Sequence, residues 1–373
     1  MRKFGKRNEV KVDPLMYPMC LLGAAGIGKT TIIKQYCEKL AGEDGYMFLE
    51  MAGEQGQVAI NGLVYEDCDE WGQVIDIVED IEDNKSTDYK DLRVIVIDTY
   101  DGWIQLAEQE SIRLYNATNP ENRAKSIDAA WGGFQRGQTK AFELMFDVIT
   151  RLRKVGVSTI VIGHVKNKEN TDPVSGVTYT TLTSDVENKY FNLLKKKMAF
   201  IALAYLDRTI KTEKTGKKNL VTHKDETINR LTSEERKISF RSDNFVIDSK
   251  SRFADIVDEI PFDCDELIKA ISDAIRKEIE KTGKSMEQVA KEQEAEAEVR
   301  EQEIAKAEEE RKEQKSFEAN MEKIKTFIKE NVKNNMDAVR EIAKMTKKMG
   351  YENPTLITKP EDAEAVLVYI ESL

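Results

Sequence analysis

Short apolar runs alternate with amphipathic segments over about the first 260 residues of the chain. The apolar runs predict strands at residues 17–22, 46–50, 93–98, 159–164, 199–206, 237–240 and 244–247. Helical periodicity between the first four runs predicts helices at residues 30–40, 71–82 and 138–154. Strands separated by such helices pair in parallel through right-handed crossovers. The pattern therefore predicts an α/β fold with a mostly parallel sheet covered on both faces.

The last three predicted strands follow one another without a helical segment between them. The turn-forming residues Thr215-Gly216 and Ser242-Asp243-Asn244 predict loops at those two places. Strands joined by short loops pair in the antiparallel sense. We therefore expect an antiparallel extension along one side of the sheet.

The C-terminal part of the chain has a different composition. Residues 287–313 contain eleven Glu against five Lys or Arg, with no Gly, Pro or aromatic residue. This predicts a solvated helix or charged linker, because the apolar heptad positions of a coiled coil are not sustained. Residues 316–373 show helical spacing, with a helix end at Gly350 and a capping-box pattern that starts at Thr358 and includes Pro360. The predicted domains are residues 1–275, 276–315 and 316–373.

Composition excludes several classes of protein. The 57 Lys and Arg residues are outnumbered by 68 Asp and Glu, which gives a net charge of −11. Any contact with nucleic acid would therefore need a local basic patch. The 4 cysteines form no CxxC pair and there are only 2 histidines. A zinc ribbon and a thioredoxin-type motif are thus disfavoured, and a multi-histidine metal site is excluded.

The sequence also predicts no membrane partner. The longest apolar run, around residues 198–206, is much shorter than the roughly 18 residues that a membrane-spanning helix requires. The N-terminal sequence has no apolar core of a signal peptide. We expect a soluble, cytoplasmic protein.

A glycine-rich loop follows the first predicted strand and precedes the first predicted helix, and it matches GxxxxGK[ST] in full. In such a loop, backbone N–H groups and the helix N-terminus bind phosphate oxygens. Lys29 would reach the β- and γ-phosphates, and the Thr30 hydroxyl would ligate Mg²⁺. The predicted nucleotide-binding residues are Gly23, Ala24, Ala25, Gly26, Ile27, Gly28, Lys29, Thr30 and Thr31.

A second element of a phosphate site is the run RVIVIDTYDGW at residues 93–103. Its buried strand ends at Asp98, which places a carboxylate beside the glycine-rich loop at the carboxyl end of a parallel sheet. There it would hold the hydration shell of Mg²⁺. Asp101 is a weaker candidate for this role because it lies beyond the strand.

Several segments together resemble one family. FLEMAGEQG, IDT, VIGHVKNK and FVIDSKSRF, with the glycine-rich loop, are similar to motifs of RecA-core P-loop ATPases. They more closely resemble the phage-encoded AAA-family ATPases associated with single-strand DNA annealing and recombination, over about residues 15–275. The resemblance implies a RecA-like core and ATP as the nucleotide. It also implies a homo-oligomer with ATP between subunits, single-stranded DNA and a single-strand-binding protein as partners, and the cytoplasm of a bacterial host as location.

The resemblance also assigns roles to individual residues. Glu54 would orient and activate the attacking water, with Glu50 as the alternative. His164 would sense the γ-phosphate at the end of a strand. Arg252 would cross to the nucleotide of a neighbouring subunit and neutralise charge on the transferred group, and Lys250 is a doubtful assistant.

In RecA-like proteins, DNA faces the loops that follow two strands, which here are the strand that ends at Asp98 and the strand that ends at His164. The matching segments are residues 115–138, which contain glycines and aromatic residues, and residues 166–218, which carry eleven Lys or Arg against six Asp or Glu. Basic groups would contact the backbone and aromatic rings would stack on bases. The candidate DNA-binding residues are Arg123, Lys125, Phe134, Arg136, Lys166, Lys168, Lys195, Lys196 and Lys197.

The same core would also suit a ring helicase or translocase, or a nucleotide-switched adaptor that hydrolyses little ATP. A replicative helicase is disfavoured because only a short segment precedes the first predicted strand. A small-molecule kinase is disfavoured because residues 165–194, where its lid would lie, contain no arginine.

Overall fold

The computed structural model describes residues 8–53, 56–218, 225–241, 247–333 and 335–372. The chain divides into two compact units. The first comprises Met1–Ile81 and Tyr89–Ala297, and the second comprises Glu82–Asp88 and Glu298–Leu373.

Strands occur throughout the first unit. In chain order they are β1 (Met19–Gly23), β2 (Tyr46–Met51), β3 (Tyr65–Cys68), β4 (Val94–Asp98), β5 (Ser158–Gly163), β6 (Val165–Thr171), β7 (Thr178–Ser184), β8 (Phe200–Lys218), β9 (Asp225–Ser239), β10 (Lys250–Ser251) and β11 (Glu259–Pro261).

Most of these strands form one sheet in the order β11-β9-β8-β1-β5-β4-β2-β3, and β10 pairs with β8. From β8 across to β3, all neighbours run parallel. Beyond β8, the pairs β8–β9 and β9–β11 are antiparallel, as is β10–β8. The predicted parallel sheet with an antiparallel extension is thus confirmed.

Helices follow most strands. They are α1 (Lys29–Ala41), α2 (Trp71–Asn84), α3 (Tyr100–Thr118), α4 (Arg136–Lys154), α5 (Asn188–Lys197), α6 (Cys264–Glu280), α7 (Met286–Asn331), α8 (Met336–Lys348) and α9 (Pro360–Glu371). Within the described part of the chain, none of them has the length and hydrophobicity needed to span a bilayer.

Strand β1 shows how the sheet is covered on both faces. Met19 and Leu21 point into a core shared with α1 and α6, and Cys20 and Leu22 point into a core shared with α2, α3, α4 and α5. All four side chains are at most 1% exposed. Because side chains alternate along a strand, a strand buried on both faces has an unbroken apolar sequence. The four cysteines are buried free thiols in these cores.

The antiparallel extension is longer than the sequence predicted. Predicted strands at 199–206 and 237–240 are the inner ends of a hairpin formed by β8 and β9. The predicted turn at Thr215-Gly216 is wrong, since both residues lie inside β8. The second predicted turn, at residues 242–244, lies outside the described residues. The outer part of the hairpin has a mostly polar sequence, so it lacks the apolar alternation by which strands are recognised.

The segment after β5 is also more ordered than expected. It contains an antiparallel hairpin of β6 and β7, followed by the short helix α5. Leu182 of β7 forms an isolated bridge with Ile247, which fixes the hairpin base to the segment preceding β10.

The second unit is helical. Its small core consists of apolar side chains from the end of α7, from α8, from the connection after α8 and from α9, namely Met321, Ile324, Ile342, Ile357, Ala363 and Val366. Within this unit, Arg311 of α7 forms ion pairs with Glu82 and Asp83, and Glu308 accepts a hydrogen bond of 2.8 Å from the Ser86 amide. The charged sequence is therefore one continuous helix, α7, with specific partners.

Two predictions for the C-terminal region concern the start of α9 and the domain limits. The capping box at Thr358 is wrong, because α9 begins after Lys359 and has no side-chain cap. Pro360 does occupy the first turn, as expected. The domain limits at residues 275 and 315 fall within α6 and α7, and this division of the chain stays a prediction.

Candidate functional site

The carboxyl end of the sheet, where β1, β2, β4 and β5 end, holds the glycine-rich loop. A Cβ atom at Gly23 would lie 3.1 Å from both the Cβ and the carbonyl oxygen of Ala204 on β8. Gly28, with φ of 105°, immediately precedes α1, and a Cβ atom there would lie 3.4 Å from the ring of Phe262. These two glycines let the loop pass close to its neighbours and turn into the N-terminus of α1.

The side chain of Lys29 folds back over this loop. It is 7% exposed, and its Nζ donates hydrogen bonds to the carbonyl oxygens of Gly23 at 3.0 Å and Ala24 at 3.1 Å. The ammonium group is therefore held inside the curve of the loop. Phosphate groups bound by the loop amides would be next to this charge.

Thr30 and Asp98 meet at the start of α1. The Thr30 hydroxyl donates a hydrogen bond of 2.7 Å to Oδ2 of Asp98, the last residue of β4. Burial raises the pKa of Asp98, while the Thr30 hydrogen bond and the charge of Lys29 oppose that shift. Two hard oxygen atoms at one point are the donor set that Mg²⁺ prefers, so both residues fit the predicted metal site.

Glu50 lies beside this pair. It stands opposite Asp98 in the register of β2 and β4, is 5% exposed, and accepts a hydrogen bond of 3.2 Å from the Gly56 amide. A cavity of about 30 Å³ at this point is large enough for a water molecule. Its lining consists of Thr30, Phe48, Glu50, Gly56, Gln57, Leu63, Tyr65 and Asp98. Glu54, the other candidate, lies outside the described residues.

His164 directly follows β5 at the same end of the sheet. Its Nδ1 lies 3.2 Å from Oδ1 of Asp101, in the first turn of α3. Burial favours the neutral form of Asp101, but the hydrogen bonds that its carboxyl accepts, first among them that of His164, outweigh burial and lower its pKa. Burial and the nearby Asp101 raise the pKa of Asp185, whose amide donates to the His164 carbonyl. Asp101 is thus the partner of His164, and Asp98 is the carboxylate that contacts Thr30.

Arg252 lies at the opposite, amino end of the sheet. It follows β10, where Ser251 pairs with Phe200 and Phe200 is in register with Met19, the first residue of β1. Its guanidinium donates to the Lys196 carbonyl at 2.8 Å, at the C-terminus of α5. Lys250 donates to the Lys195 carbonyl at the same helix end. Neither cation contacts the glycine-rich loop of its own chain.

The first candidate DNA segment forms the connection from α3 to α4. Phe134 is 96% exposed and has a positive φ of 52°, an uncommon backbone conformation for a bulky residue. Trp131 is held differently, because its Nε1 donates to the Ser111 carbonyl at 3.1 Å. The basic residues of this segment are all exposed, namely Arg123, Lys125 and Arg136.

The second candidate segment is divided between the two ends of the sheet. Lys166 and Lys168 lie on β6, next to His164 at the carboxyl end, and Lys166 donates to the Asp185 carbonyl at 2.7 Å. The triplet at residues 195–197 ends α5, next to the start of β8 at the amino end. Lys195 pairs with Asp248 at 3.1 Å, and the Lys197 ammonium lies 3.7 Å from the Phe146 ring centroid. The expected single basic patch is therefore not formed, since helix α5 separates its two parts.

Three residues of this region were not identified from the sequence. Lys189 joins the two candidate DNA segments, since its ammonium donates to the Gln135 carbonyl and, at 2.9 Å, to the Thr139 hydroxyl. Arg236 and Phe262 lie against the glycine-rich loop. Each contact joins residues far apart in the chain, and no local pattern distinguishes these side chains from other basic or aromatic ones.

Comparison with known proteins agrees with this geometry. A family model described as an AAA domain matches residues 16–253, well over half of the chain. No relative among the curated proteins matches the sequence. Among solved structures, the chain is similar to a KaiC-like protein from the hyperthermophilic archaeon Pyrococcus horikoshii OT3. That similarity has 11% identity and a TM-score of 0.31, and covers 66% of this chain and 85% of that chain.

The family match and the strand order confirm the predicted fold class. The glycine-rich loop, the contact between Thr30 and Asp98 and the strand order are those expected of a RecA-like core, with a helical region after it. The chain therefore belongs to the AAA domain family and carries a RecA-like P-loop ATPase domain.

Proposed function

We propose that the protein is a Mg²⁺-dependent ATPase that binds single-stranded DNA and promotes annealing and recombination, as a phage protein acting in the bacterial cytoplasm. A single-strand-binding protein is proposed as a further partner. The proposal combines the P-loop ATPase domain with the features of the carboxyl end of the sheet described above.

Hydrolysis uses residues that the fold brings together. The loop of residues 23–31 and the Lys29 ammonium would bind the phosphates of ATP. Thr30 and Asp98 would hold Mg²⁺, which would supply neutralisation of the phosphate charge. Glu50 is buried beside Thr30 and Asp98 at a water-sized cavity. A carboxylate in that position can orient and deprotonate the attacking water. Glu54, the base that the sequence favoured, stays the second candidate here.

His164 is proposed to sense the γ-phosphate. It lies between the Asp98–Thr30 pair and the β6–β7 hairpin, and its own partner is Asp101. A change in this hydrogen bond upon hydrolysis would be passed to the hairpin that follows one residue later.

Arg252 is proposed to act on the nucleotide of a neighbouring subunit. Ser251 is level with Met19, whereas the glycine-rich loop follows Gly23, about 13 Å further along the strand. A side chain at the amino end cannot serve the loop of its own chain. An arginine finger supplied in trans requires an oligomer with ATP at the interfaces. Lys250 stays the weaker candidate for this role.

The main support for DNA binding is the exposed ring of Phe134, which could stack on a base. Lys189, at the start of α5, donates hydrogen bonds to Gln135 and Thr139 beside Phe134. Helix α5 begins soon after β7, so this loop lies near the base of the β6–β7 hairpin. An exposed aromatic ring beside basic side chains is the usual combination for binding single strands without sequence preference. The proposed contacts are Arg123, Lys125, Phe134, Arg136, Lys166 and Lys168, and the lysines 195–197 would contact DNA only at the other end of α5.

The test is ATP hydrolysis with and without a single-stranded oligonucleotide, at low and high salt, followed by annealing of complementary strands. The proposal expects stimulation that falls as salt rises, and faster annealing with ATP. Directional displacement of a strand would instead show a motor. ATP binding with slow hydrolysis that DNA does not change would show an adaptor. Either result would overturn the annealing function.

A further inference from the structure

Two side chains from separate elements meet beside the glycine-rich loop. Arg236 of β9 donates from Nη1 to the Ile27 carbonyl at 3.2 Å, and its guanidinium lies 5.4 Å from the ring centroid of Phe262. The ideal Cβ position of Gly28 lies 3.4 Å from the Phe262 ring and 3.6 Å from the Arg236 guanidinium. A flat cation and an aromatic ring therefore border the loop just where α1 begins.

Backbone contacts fix this pair in place. The Phe262 amide donates to the Arg236 carbonyl at 2.9 Å, and the next ladder pair joins Pro261 to Lys237. Asp263 then caps α6 by accepting from the Asp265 amide at 2.8 Å. The pair is thus built by the antiparallel extension and by the start of α6, and it does not depend on flexible loops.

The pair lies apart from the groups that fit phosphate. Lys29 bonds the Gly23 and Ala24 carbonyls and Thr30 bonds Asp98, whereas Arg236 bonds the Ile27 carbonyl. Leu206, level with Arg236, lies two residues beyond Ala204, the partner of Gly23, so the pair extends past the carboxyl end of β1. A nucleotide with phosphates in the loop has its base outside it, within reach of such a position.

We propose that Arg236 and Phe262 form a stacking platform for the base of the bound nucleoside triphosphate. This inference rests on the proposed binding of ATP at residues 23–31. Guanidinium and phenyl groups stack on any aromatic heterocycle, and a larger ring system gains more contact. The platform therefore favours purines over pyrimidines and discriminates little between ATP and GTP.

The experiment measures dissociation constants for Mg²⁺-ATP, GTP, CTP and inorganic tripolyphosphate. The test variants are Phe262→Leu, which keeps an apolar side chain against the core, and Arg236→Gln. The matched controls are Tyr205→Leu, a partly buried aromatic position of the same hairpin whose hydroxyl donates to Glu259 at 2.6 Å, and Arg208→Gln, an exposed arginine of that hairpin that pairs with Glu234.

Each test variant should weaken ATP and GTP binding about tenfold, and tripolyphosphate binding by less than about twofold. The controls should match the wild type. Equal loss for ATP and tripolyphosphate would show damage to the loop itself and would overturn the inference, as would unchanged ATP binding. Failure of the wild type to bind ATP would instead overturn the proposed function.

Discussion

The two ends of the sheet hold their cationic groups in different ways. At the carboxyl end, Lys29 is buried within a loop whose neighbours Thr30 and Asp98 form a direct side-chain contact. At the amino end, Lys250 and Arg252 are bonded to backbone carbonyls at the C-terminus of α5. A helix C-terminus carries partial negative charge, so it favours cations there without any acidic side chain.

This difference separates a site that one chain forms alone from cations whose role could need a second chain. The phosphate site is assembled within a single sheet. The cations at the amino end are either a cap for α5 or a group for a neighbouring subunit, and a carbonyl cap exchanges easily for a phosphate, which is the stronger partner for a guanidinium. Substitution of Arg252 distinguishes these two roles.

Arg252→Ala should give the largest effect. Removing a finger that acts in trans should lower ATP turnover at least about a thousandfold with ATP affinity unchanged, because the arginine acts on charge in the transition state. Adding the variant to the wild-type protein should lower turnover by more than the fall in the fraction of wild-type subunits, because a variant subunit also inactivates the site of its neighbour. The matched control is Arg241→Ala, which removes another arginine bonded to a carbonyl. A lower unfolding temperature with normal turnover would assign Arg252 to capping α5 alone.

Glu50→Gln should lower turnover about a hundredfold or more at saturating ATP, since it removes the proposed base and keeps the shape of the side chain. The comparison is Glu54→Gln, measured by single-turnover hydrolysis. A large loss in the second variant and none in the first would transfer the role of base to Glu54.

Lys29→Ala should weaken ATP binding about a hundredfold, because an ammonium next to the phosphates is lost. Calorimetric titration measures the affinity. The control is Lys39→Ala, which removes an exposed lysine of the same helix whose partner is Asp265. Unchanged affinity in Lys29→Ala would contradict the assignment of the phosphate site.

Phe134→Ala should weaken binding of single-stranded DNA about tenfold, as expected for one stacked base. Arg123→Ala should cause a smaller loss that disappears at high salt. Fluorescence anisotropy with a labelled strand measures both. If Phe134→Ala leaves affinity unchanged, the loop before α4 is not the DNA contact.

Asp98→Asn should give the smallest effect, a modest change in the stability of the fold. Burial raises the pKa of Asp98 above its unfolded value, so the folded protein binds this proton more tightly and loses stability as pH rises through the folded pKa. The variant carries no such charge and should unfold a few degrees higher than wild type at neutral pH. The gap should close as pH falls. A lower unfolding temperature at neutral pH would show that the charged form is favoured instead.

The sequence was sufficient where chemistry and periodicity are local. Unbroken apolar runs predicted the central strands, and the full GxxxxGK[ST] pattern predicted the loop that the structure closes over Lys29. The meeting of Thr30 and Asp98 followed from the rule that parallel strands end together. These features need only neighbours along the chain and the topology of a parallel sheet.

The remaining features depend on contacts between distant segments. The outer β8–β9 hairpin consists mostly of polar residues, so no apolar alternation marks it in the sequence. The helix α5 between Lys168 and Lys195 splits a patch that is continuous in sequence. Arg236 and Ile27 are joined through the sheet, and no local spacing reports such an approach.

The buried thiols have a practical consequence for labelling chemistry. Burial raises the pKa of Cys20, Cys37 and Cys68, and the pKa of Cys264 rises to about 11. Since the thiolate is the reactive species, all four should react slowly with maleimides in the native protein. A single cysteine introduced by Phe134→Cys would then be the main site of labelling, and the emission of its fluorophore would report whether added nucleotide changes the surroundings of this loop.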